Sequence, residues 1–334
     1  MLFIAALGTM GTAMQSVFKG SAGGVRTSGP RLEEFFVVDN HTPTRIAVIT
    51  ISGIISSDIF GQANYGMVEY IRDQFKVAKE DNRVRAVILR VESPGGEVLA
   101  SDEISKVITD FQKESGKPVV ASMGTVAASG GYYVAAPCRW IVANELSITG
   151  SIGVIFHSFN YRGLMDKVGL RPEVYKSGKY KDMLSGDKRE EEITPEERQM
   201  IRDLIQETFG KFKSVVEEGR AAAYAKNTSS GGAGRKLDDE WVNYADGRIF
   251  SGKQAYDLGF VDELGNFDAA IKRAMRLAGV SNASLVEYQQ IFDLSNFFRL
   301  FGKSEPTKLQ VELTPETMKL KAGRLYFLSP TFLN

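Results

Sequence analysis

The 334-residue sequence is poor in cysteine and histidine, two residue types on which many active sites depend. The single cysteine, Cys138, excludes an internal disulfide framework and leaves the redox compartment open. There are only two histidines, His41 and His157, which argues against a histidine-rich metal site. His41 lies in a polar stretch and His157 follows a predicted strand, so neither has the surroundings of a Ser-His-Asp triad. The sequence implies no metal and no cofactor.

The chain also lacks an excess of either charge. Lysine and arginine together number 41, as do aspartate and glutamate, so overall charge gives no reason to expect nucleic acid or an acidic partner. The hydrophobic fraction of 43% and the charged fraction of 25% are typical of a folded globular protein. The length allows one large domain or two ordinary ones.

One long apolar run is present, at residues 1–18, and it carries no charge before Lys19. Eighteen residues is close to the shortest helix that spans a bilayer. A glycine-rich tether follows at residues 20–25, which favours a membrane anchor over an ordinary buried helix or an interfacial one. The run has no basic leader, and Arg26 and Arg31 follow it. On the positive-inside rule alone, these charges argue against an external position for the rest of the chain.

From Arg45 onwards the sequence alternates between predicted strands and helices. This alternation predicts an α/β fold with a parallel sheet and crossover helices, in which ligands bind beyond the carboxyl ends of the strands. Strands are predicted at residues 45–55, 84–91, 118–124, 139–144 and 148–155, and helices at 65–78, 98–113, 132–137 and 267–278. A further long helix is predicted to begin at a threonine cap and proline, Thr194 and Pro195. Residues 227–236 are predicted to form a surface loop.

A serine with small neighbours stands at one of the strand-to-helix junctions. Ser129 follows the strand at 118–124, and the adjacent glycine allows close approach of a substrate to the backbone. Taken alone, such a serine is more often a simple helix start. A second glycine pair follows the strand at 84–91, and its Gly96 N–H together with that of Gly130 could stabilise an oxyanion in acyl transfer.

A serine nucleophile also needs a base, and lysine can serve if its pKa is lowered far enough for it to be neutral. Residues 174–182 contain three lysines, Lys176, Lys179 and Lys181. Their spacing alone does not distinguish which of them would act.

The combination of motifs resembles the bacterial SppA family of signal peptide peptidases, in its short single-repeat form. The resemblance extends from about residue 45 to residue 278. It rests on motifs that occur in family order, at Glu92–Gly96, Ala128–Tyr133, Leu146–Val154, Lys176–Asp182, Ala245–Phe250 and Val261–Gly265. Several motifs in the same order identify a family far more specifically than any one of them does.

This resemblance implies a serine/lysine protease with a ClpP/crotonase-like fold. By the same resemblance, Ser129 is the nucleophile, Lys181 is the general base and Ser151 positions that lysine. Gly96 and Gly130 are the oxyanion donors. Family members form dome-shaped homo-oligomers in which the serine and the lysine come from neighbouring subunits.

The resulting expectation is a single-pass protein of the cell membrane with its protease domain on the extracytoplasmic side. It comprises an anchor at residues 1–18, a polar linker at 19–44, a protease domain at 45–290 and a C-terminal tail at 291–334. Its substrates would be cleaved signal peptides and other short hydrophobic peptides, hydrolysed through an acyl-enzyme. The alternatives are a crotonase-like acyl-CoA enzyme and a catalytically inactive membrane scaffold.

The tail itself contains an apolar segment, residues 325–328, that resembles the peptides such an enzyme would degrade. It could dock in the substrate groove as a product or a self-inhibitor. The alternative is a tail that simply packs on the surface.

Overall fold

The fold is organised around a mostly parallel β-sheet. The computed structural model describes residues 31–57, 65–230, 234–290 and 325–328. The strands are β1 (Leu32–Val38), β2 (Arg45–Ser52), β3 (Val84–Ser93), β4 (Gly95–Glu97), β5 (Val119–Ala128), β6 (Trp140–Ala143), β7 (Ile148–Gly150), β8 (Ile155–Phe156), β9 (Ile249–Ser251), β10 (Glu263–Leu264), β11 (Ser284–Gln290) and β12 (Leu325–Leu328). The helices are α1 (Met67–Glu80), α2 (Val98–Ser115), α3 (Gly130–Ala135), α4 (Arg162–Lys167), α5 (Pro195–Ser229), α6 (Gly252–Asp257) and α7 (Phe267–Ala278), with 3-10 turns at Glu190–Glu192 and Trp241–Tyr244.

Within these residues the large sheet has the strand order β1-β11-β2-β3-β5-β6-β10, and β7 pairs with both β5 and β9. All of its pairings are parallel except β1 with β11 and β7 with β9. The predicted α/β fold with a mainly parallel sheet is therefore confirmed. A second sheet contains β4, β12 and β8.

Both faces of the large sheet are buried, and the strand sequences show why. Side chains alternate between the two faces of a strand, so in β2 Ile46 and Val48 pack with α7 while Ile49 and Ile51 join the larger core on the opposite face. Strands buried on both sides need nearly continuous apolar sequence. The continuous apolar sequences of β2 and β3 therefore follow from their position inside the sheet.

Several elements begin or end at residues other than those that the sequence predicts. The predicted strand at 148–155 is divided into β7 and β8 because the backbone turns at Ser151, whose φ is 50°. Strand β1 lies inside the segment predicted as a polar linker and pairs with β11. The predicted loop at 227–236 is wrong at its start, since α5 continues to Ser229. Asn227 is buried there, and its amide donates to the Arg139 carbonyl at 3.1 Å.

The expected anchor at residues 1–18 and most of the expected tail lie outside the described residues. None of the helices in the described part of the chain combines the length and the apolar character that a membrane crossing requires.

A buried ion pair fastens α5 to the sheet. The Arg220 guanidinium on α5 contacts the Asp262 carboxylate just before β10, and both side chains are fully buried. Arg220 also donates to the carbonyls of Ala136 and Cys138 at 3.2 and 3.0 Å, in the segment that follows α3. Asp262 in turn accepts from the Ile141 N–H of β6 at 2.8 Å. Arg220 therefore joins the long helix α5 to the segment that follows α3 in sequence. Through Asp262 it also joins α5 to the edge of the sheet.

Replacing Arg220 with methionine should lower the free energy of unfolding by about 3–5 kcal/mol, because the Asp262 charge would be left buried without its partner. Denaturant unfolding measures the effect. The matched control is Arg202→Met on the exposed part of the same helix, which should change the free energy by about 0.5 kcal/mol or less. The double variant Arg220→Met/Asp262→Leu should recover much of the loss. Equal losses for Arg220 and Arg202 would contradict the role of the pair.

Candidate active site

Ser129 occupies the one-residue junction between β5 and α3. Its φ and ψ angles are 54° and −117°, a conformation that non-glycine residues rarely adopt and that costs about 1–3 kcal/mol. Its N–H donates to the Gly150 carbonyl, and its carbonyl accepts from the Tyr133 N–H, both at 2.8 Å. The side chain is fully buried, and its Oγ has no hydrogen-bond partner among the described residues. A strained backbone and an unpaired buried hydroxyl at one residue are typical of a functional site.

Ser151 lies beside Ser129 because of strand register. The last pair between β5 and β7 joins Ala128 to Gly150, so the two serines are the residues that follow the paired strand ends. Ser151 is 3% exposed, and its N–H donates to the Arg248 carbonyl at 2.7 Å. It shares with Ser129 a positive φ, which few of the described non-glycine residues have.

The two glycine pairs predicted to supply oxyanion donors lie against each other. A Cβ added to Gly130 would lie 3.0 Å from the Gly96 nitrogen, and one added to Gly95 would lie 2.8 Å from the Gly130 nitrogen. Gly95 has a φ of 113°, and a Cβ on Gly96 would lie 1.9 Å from the Ile55 carbonyl oxygen. These close approaches require glycine. The structure therefore brings Gly96 and Gly130 together beside Ser129.

Two supporting residues were missed in the sequence. Ile55 forms backbone hydrogen bonds with the residues before and after Gly96. Its N–H donates to the Gly95 carbonyl at 2.9 Å, and its carbonyl accepts from the Glu97 N–H at 2.7 Å. The Glu92 carboxylate accepts from the N–H groups of Thr125 and Val126 at 2.8 and 3.1 Å, where β5 leaves its regular pairing with β3. No local sequence signal identifies either contact, since the partners are distant along the chain.

The three candidate lysines differ in their contacts. Lys176 donates to the Asp182 carboxylate at 2.7 Å. The Lys179 ammonium lies 4.9 Å from the centre of the Tyr180 ring, and a hydrogen bond with Tyr180 raises the pKa of Lys179. The Lys181 side chain is exposed and has no hydrogen bond or ion pair with the described residues, and the Lys181 N–H donates to the Gly178 carbonyl at 3.2 Å. The structure of a single chain therefore does not bring Lys181 into contact with the Ser129 hydroxyl.

The segment around Lys181 exposes many large apolar side chains. It extends from β8 to the start of α5, and α4 is its one α-helix. Exposed apolar surface of this extent is typical of a contact with another protein. The exposed residues are Phe159, Tyr161, Leu164, Val168, Leu170, Val174, Tyr175 and Leu184.

The small sheet lies next to the glycine pairs and includes the C-terminal segment. Strand β12 lies between β4 and β8, antiparallel to both. It is opposite the glycines of β4, with Phe327 paired with Gly96. The sequence hypothesis that this segment docks at the site therefore agrees with its position in the structure.

Comparison with known proteins gives a family match over the same region. The model of peptidase family S49 matches residues 111–281, which include Ser129, Ser151 and Lys181. A Synechocystis protein with the provisional name of a protease is 38% identical over 72% of this chain and 76% of its own length. An Enterococcus faecium protein, provisionally named signal peptide peptidase SppA, is 33% identical over 73% of this chain and 67% of its own. The chloroplastic serine protease SPPA of Arabidopsis thaliana is 31% identical over 71% of this chain and 33% of its own.

The fold and these matches define the class of protein as a peptidase built on an α/β sheet. The chain belongs to peptidase family S49. This membership agrees with the sequence resemblance to the SppA family.

Replacing Ser129 with glycine should raise the free energy of unfolding by about 1–2 kcal/mol, because it relieves the positive φ and removes an unpaired buried hydroxyl. Thermal or denaturant unfolding measures the change. Ser147→Gly is the control, since the Ser147 Oγ donates to the Gly124 carbonyl at 2.6 Å and its loss should destabilise the protein. Destabilisation by both variants would show that Ser129 is not strained.

Proposed function

We propose that this protein is a serine endopeptidase of the signal peptide peptidase type, which hydrolyses short hydrophobic peptides with a Ser129–Lys181 dyad. The observation that carries the proposal is the geometry of Ser129, which lies beside two glycine pairs. Its backbone is strained, and its buried hydroxyl has no hydrogen-bond partner among the described residues. The names of the relatives from Enterococcus faecium and Arabidopsis thaliana support the same activity.

The reaction begins when Lys181, neutral, accepts the proton of the Ser129 hydroxyl as Oγ attacks the peptide carbonyl carbon. The carbonyl oxygen becomes an oxyanion, which the N–H groups of Gly96 and Gly130 stabilise. The C–N bond then breaks, and the amine leaves with the proton that the lysine had accepted. Water attacks the resulting ester through the same base, releases the acid and restores the serine. Ser151 holds the lysine amine in position during both steps.

Lys181 is supplied by a neighbouring copy of the chain in this proposal. Its amine has no partner among the described residues, while the Lys176 amine donates to the Asp182 carboxylate at 2.7 Å and a hydrogen bond with Tyr180 raises the pKa of Lys179. The exposed apolar side chains between β8 and α5 supply a surface that a second copy would bury. Removal of water from this interface would also lower the pKa of a lysine enclosed in it.

The cellular setting is part of the proposal. Residues 1–18 would anchor the protein in the cell membrane as a single pass, with the protease domain at 45–290 on the extracytoplasmic side. The hydrophobic substrates would then be close to the bilayer in which signal peptides are left. Protease accessibility in intact spheroplasts, compared with lysed spheroplasts, tests this topology, and protection of the domain in intact spheroplasts would contradict it.

Substitution of the dyad tests the mechanism. Ser129→Ala and Lys181→Ala should each lower the rate of cleavage of a hydrophobic reporter peptide by at least about 10³-fold, because each removes a group that acts in the chemical step. Lys179→Ala is the matched control, since it removes a neighbouring exposed lysine and should leave most of the rate. A fluorophosphonate probe should label the wild-type protein and not Ser129→Ala.

The outcomes distinguish the alternatives. Inactivity of Lys179→Ala with an active Lys181→Ala would move the base to Lys179. A crotonase-like enzyme would bind an acyl-CoA and would not need Ser129. A scaffold would show neither labelling nor cleavage in any variant.

Sharing of the site between subunits predicts complementation. When Ser129→Ala and Lys181→Ala chains are co-expressed, roughly a quarter of the sites should combine an intact serine with an intact neighbouring lysine, because subunits assort at random in a homo-oligomer. Cleavage of the reporter should therefore return to about that fraction of the wild-type rate. A Ser129→Ala/Lys181→Ala double variant co-expressed with Ser129→Ala is the control and should stay inactive. No recovery in the mixed assembly would place both groups in one subunit.

A further inference from the structure

A pocket separate from the candidate active site lies on the other face of the large sheet. Helices α2 and α3 belong to the core on one face, while α7 packs on the opposite face against side chains of β3, β5 and β6. The pocket lies on the α7 side, where this helix begins and β6 ends. Its volume of about 320 Å³ is at the lower end of the range for small-molecule sites.

Ser122 contributes a buried hydroxyl to the pocket wall. Its neighbours on β5, Ala121 and Met123, belong to the core on the other face, so the Ser122 side chain is on the α7 side. The residue is 5% exposed, and its hydroxyl has no hydrogen bond with the described residues. The Ser147 hydroxyl, which also lines the pocket, instead donates to the Gly124 carbonyl at 2.6 Å. Because an unpaired buried hydroxyl costs free energy, a ligand that bonds to Ser122 would be favoured.

Arg90 on β3 brings a positive charge to the same pocket. The central carbon of its guanidinium lies 5.8 Å from the centre of the Phe267 ring, and the group forms no ion pair with the described residues. The Glu92 carboxylate, two residues further along β3, already accepts from the N–H groups of Thr125 and Val126. The Arg90 charge is therefore left for an anion from outside the chain.

The start of α7 adds backbone donors beside these two side chains. Asn266 precedes the helix, but its side chain does not cap it, because its Oδ1 accepts from the Asn144 amide at 2.7 Å. The N–H groups of Phe267 and Asp268 have no acceptor among the described residues. The Asp268 side chain is exposed and is not part of the pocket wall. Unpaired N–H groups at a helix start favour a negative charge, and here they accompany Arg90 and a buried hydroxyl.

We propose that this pocket binds a small organic carboxylate. The carboxylate group is bound by the Arg90 guanidinium, the Ser122 hydroxyl and the N–H groups at the start of α7. The apolar part of the ligand contacts Leu146 and Phe267, which line the same pocket. Leu146 is 85% exposed in the chain alone, so covering it with a hydrocarbon group is favourable.

The pocket wall also indicates which carboxylates fit. Among the described residues that line it, none is acidic, so a free ammonium group on the ligand would lie near Arg90 without a partner. We therefore expect a carboxylate with no adjacent amine, such as an acylated amino acid or the carboxyl end of a short peptide. The proposal does not depend on the proposed peptidase activity, because the pocket and α3, the helix that follows Ser129, lie on opposite faces of the sheet.

The chemistry of the ligand is tested by titration of the full-length protein with N-acetyl-leucine, followed by ligand-observed NMR. N-acetyl-leucinamide, the same molecule without the charge, should bind at least about tenfold more weakly, because it loses the charge-assisted hydrogen bonds. Leucine should bind more weakly because of its unpaired ammonium group, and inorganic phosphate because it has no apolar part. Binding of the amide, leucine or phosphate as tight as that of N-acetyl-leucine would overturn the assignment of the ligand.

The location of the site is tested with variants of the pocket wall. Arg90→Gln should weaken the binding of N-acetyl-leucine at least about tenfold, and Ser122→Ala should weaken it several-fold, because each removes a donor to the carboxylate. The matched controls are Arg85→Gln, an exposed arginine on the same strand, and Ser105→Ala, a serine buried in α2 on the other face. Both controls should bind like the wild-type protein.

Thermal unfolding shows whether each variant is folded, and Tm should change little because neither Arg90 nor Ser122 has a hydrogen bond or ion pair to lose among the described residues. Ser122→Ala removes a single hydroxyl, so it decides the question if Arg90→Gln does not fold. Wild-type affinity in both variants would overturn the site and would be the result if N-acetyl-leucine bound only at the candidate active site.

Discussion

The register between β5 and β7 is the constraint on which the candidate site depends. In its first half β5 pairs with β3 and β6, and through Val126–Ala128 it pairs with β7, ending with Ala128 opposite Gly150. Ser129 and Ser151 must then leave the sheet at neighbouring points, and the Ser129 N–H bonds to the Gly150 carbonyl. A shift of one residue would reverse the direction of every side chain in the strand. Because both faces of the strand are closely packed, the exchanged side chains would no longer fit their neighbours.

The strain at Ser129 persists because the surrounding structure is rigid. The helix that follows it begins inside the core, and Arg220 on the long helix bonds to the carbonyls of the segment directly after that helix. On the other side, Ile55 and Glu92 hold the glycine loop and the end of β5. A residue in an unfavourable conformation is kept there only where its neighbours leave no alternative. The strained backbone lowers the stability of the fold, but it places the Ser129 hydroxyl at the end of β5.

Three features with different origins meet at the end of β5. The strained serine and the paired glycines form a rigid part, built on sheet and core. The space between β4 and β8 has the width of one extended strand, and β12 occupies it. The exposed apolar segment around Lys181 is the incomplete part, since the Lys181 side chain has no hydrogen-bond or ion-pair partner among the described residues. A peptidase of family S49 whose base comes from a second subunit would need all three. The first would hold the nucleophile, the second would align the substrate, and the third would join the copies.

The sequence by itself determined the parts of this protein that depend on local pattern. Continuous apolar runs predicted β2 and β3, the cap at Thr194 predicted the start of α5, and the serine and glycine motifs marked the residues that follow strand ends. Tertiary structure decided what depends on contacts between distant residues. Only the folded chain showed that β1 pairs with β11, that Glu92 and Ile55 support the site, and that Phe327 packs against both Tyr133 and Phe212. A local sequence pattern reports which face of an element is buried, but the partner that buries it is fixed only when the whole chain is packed.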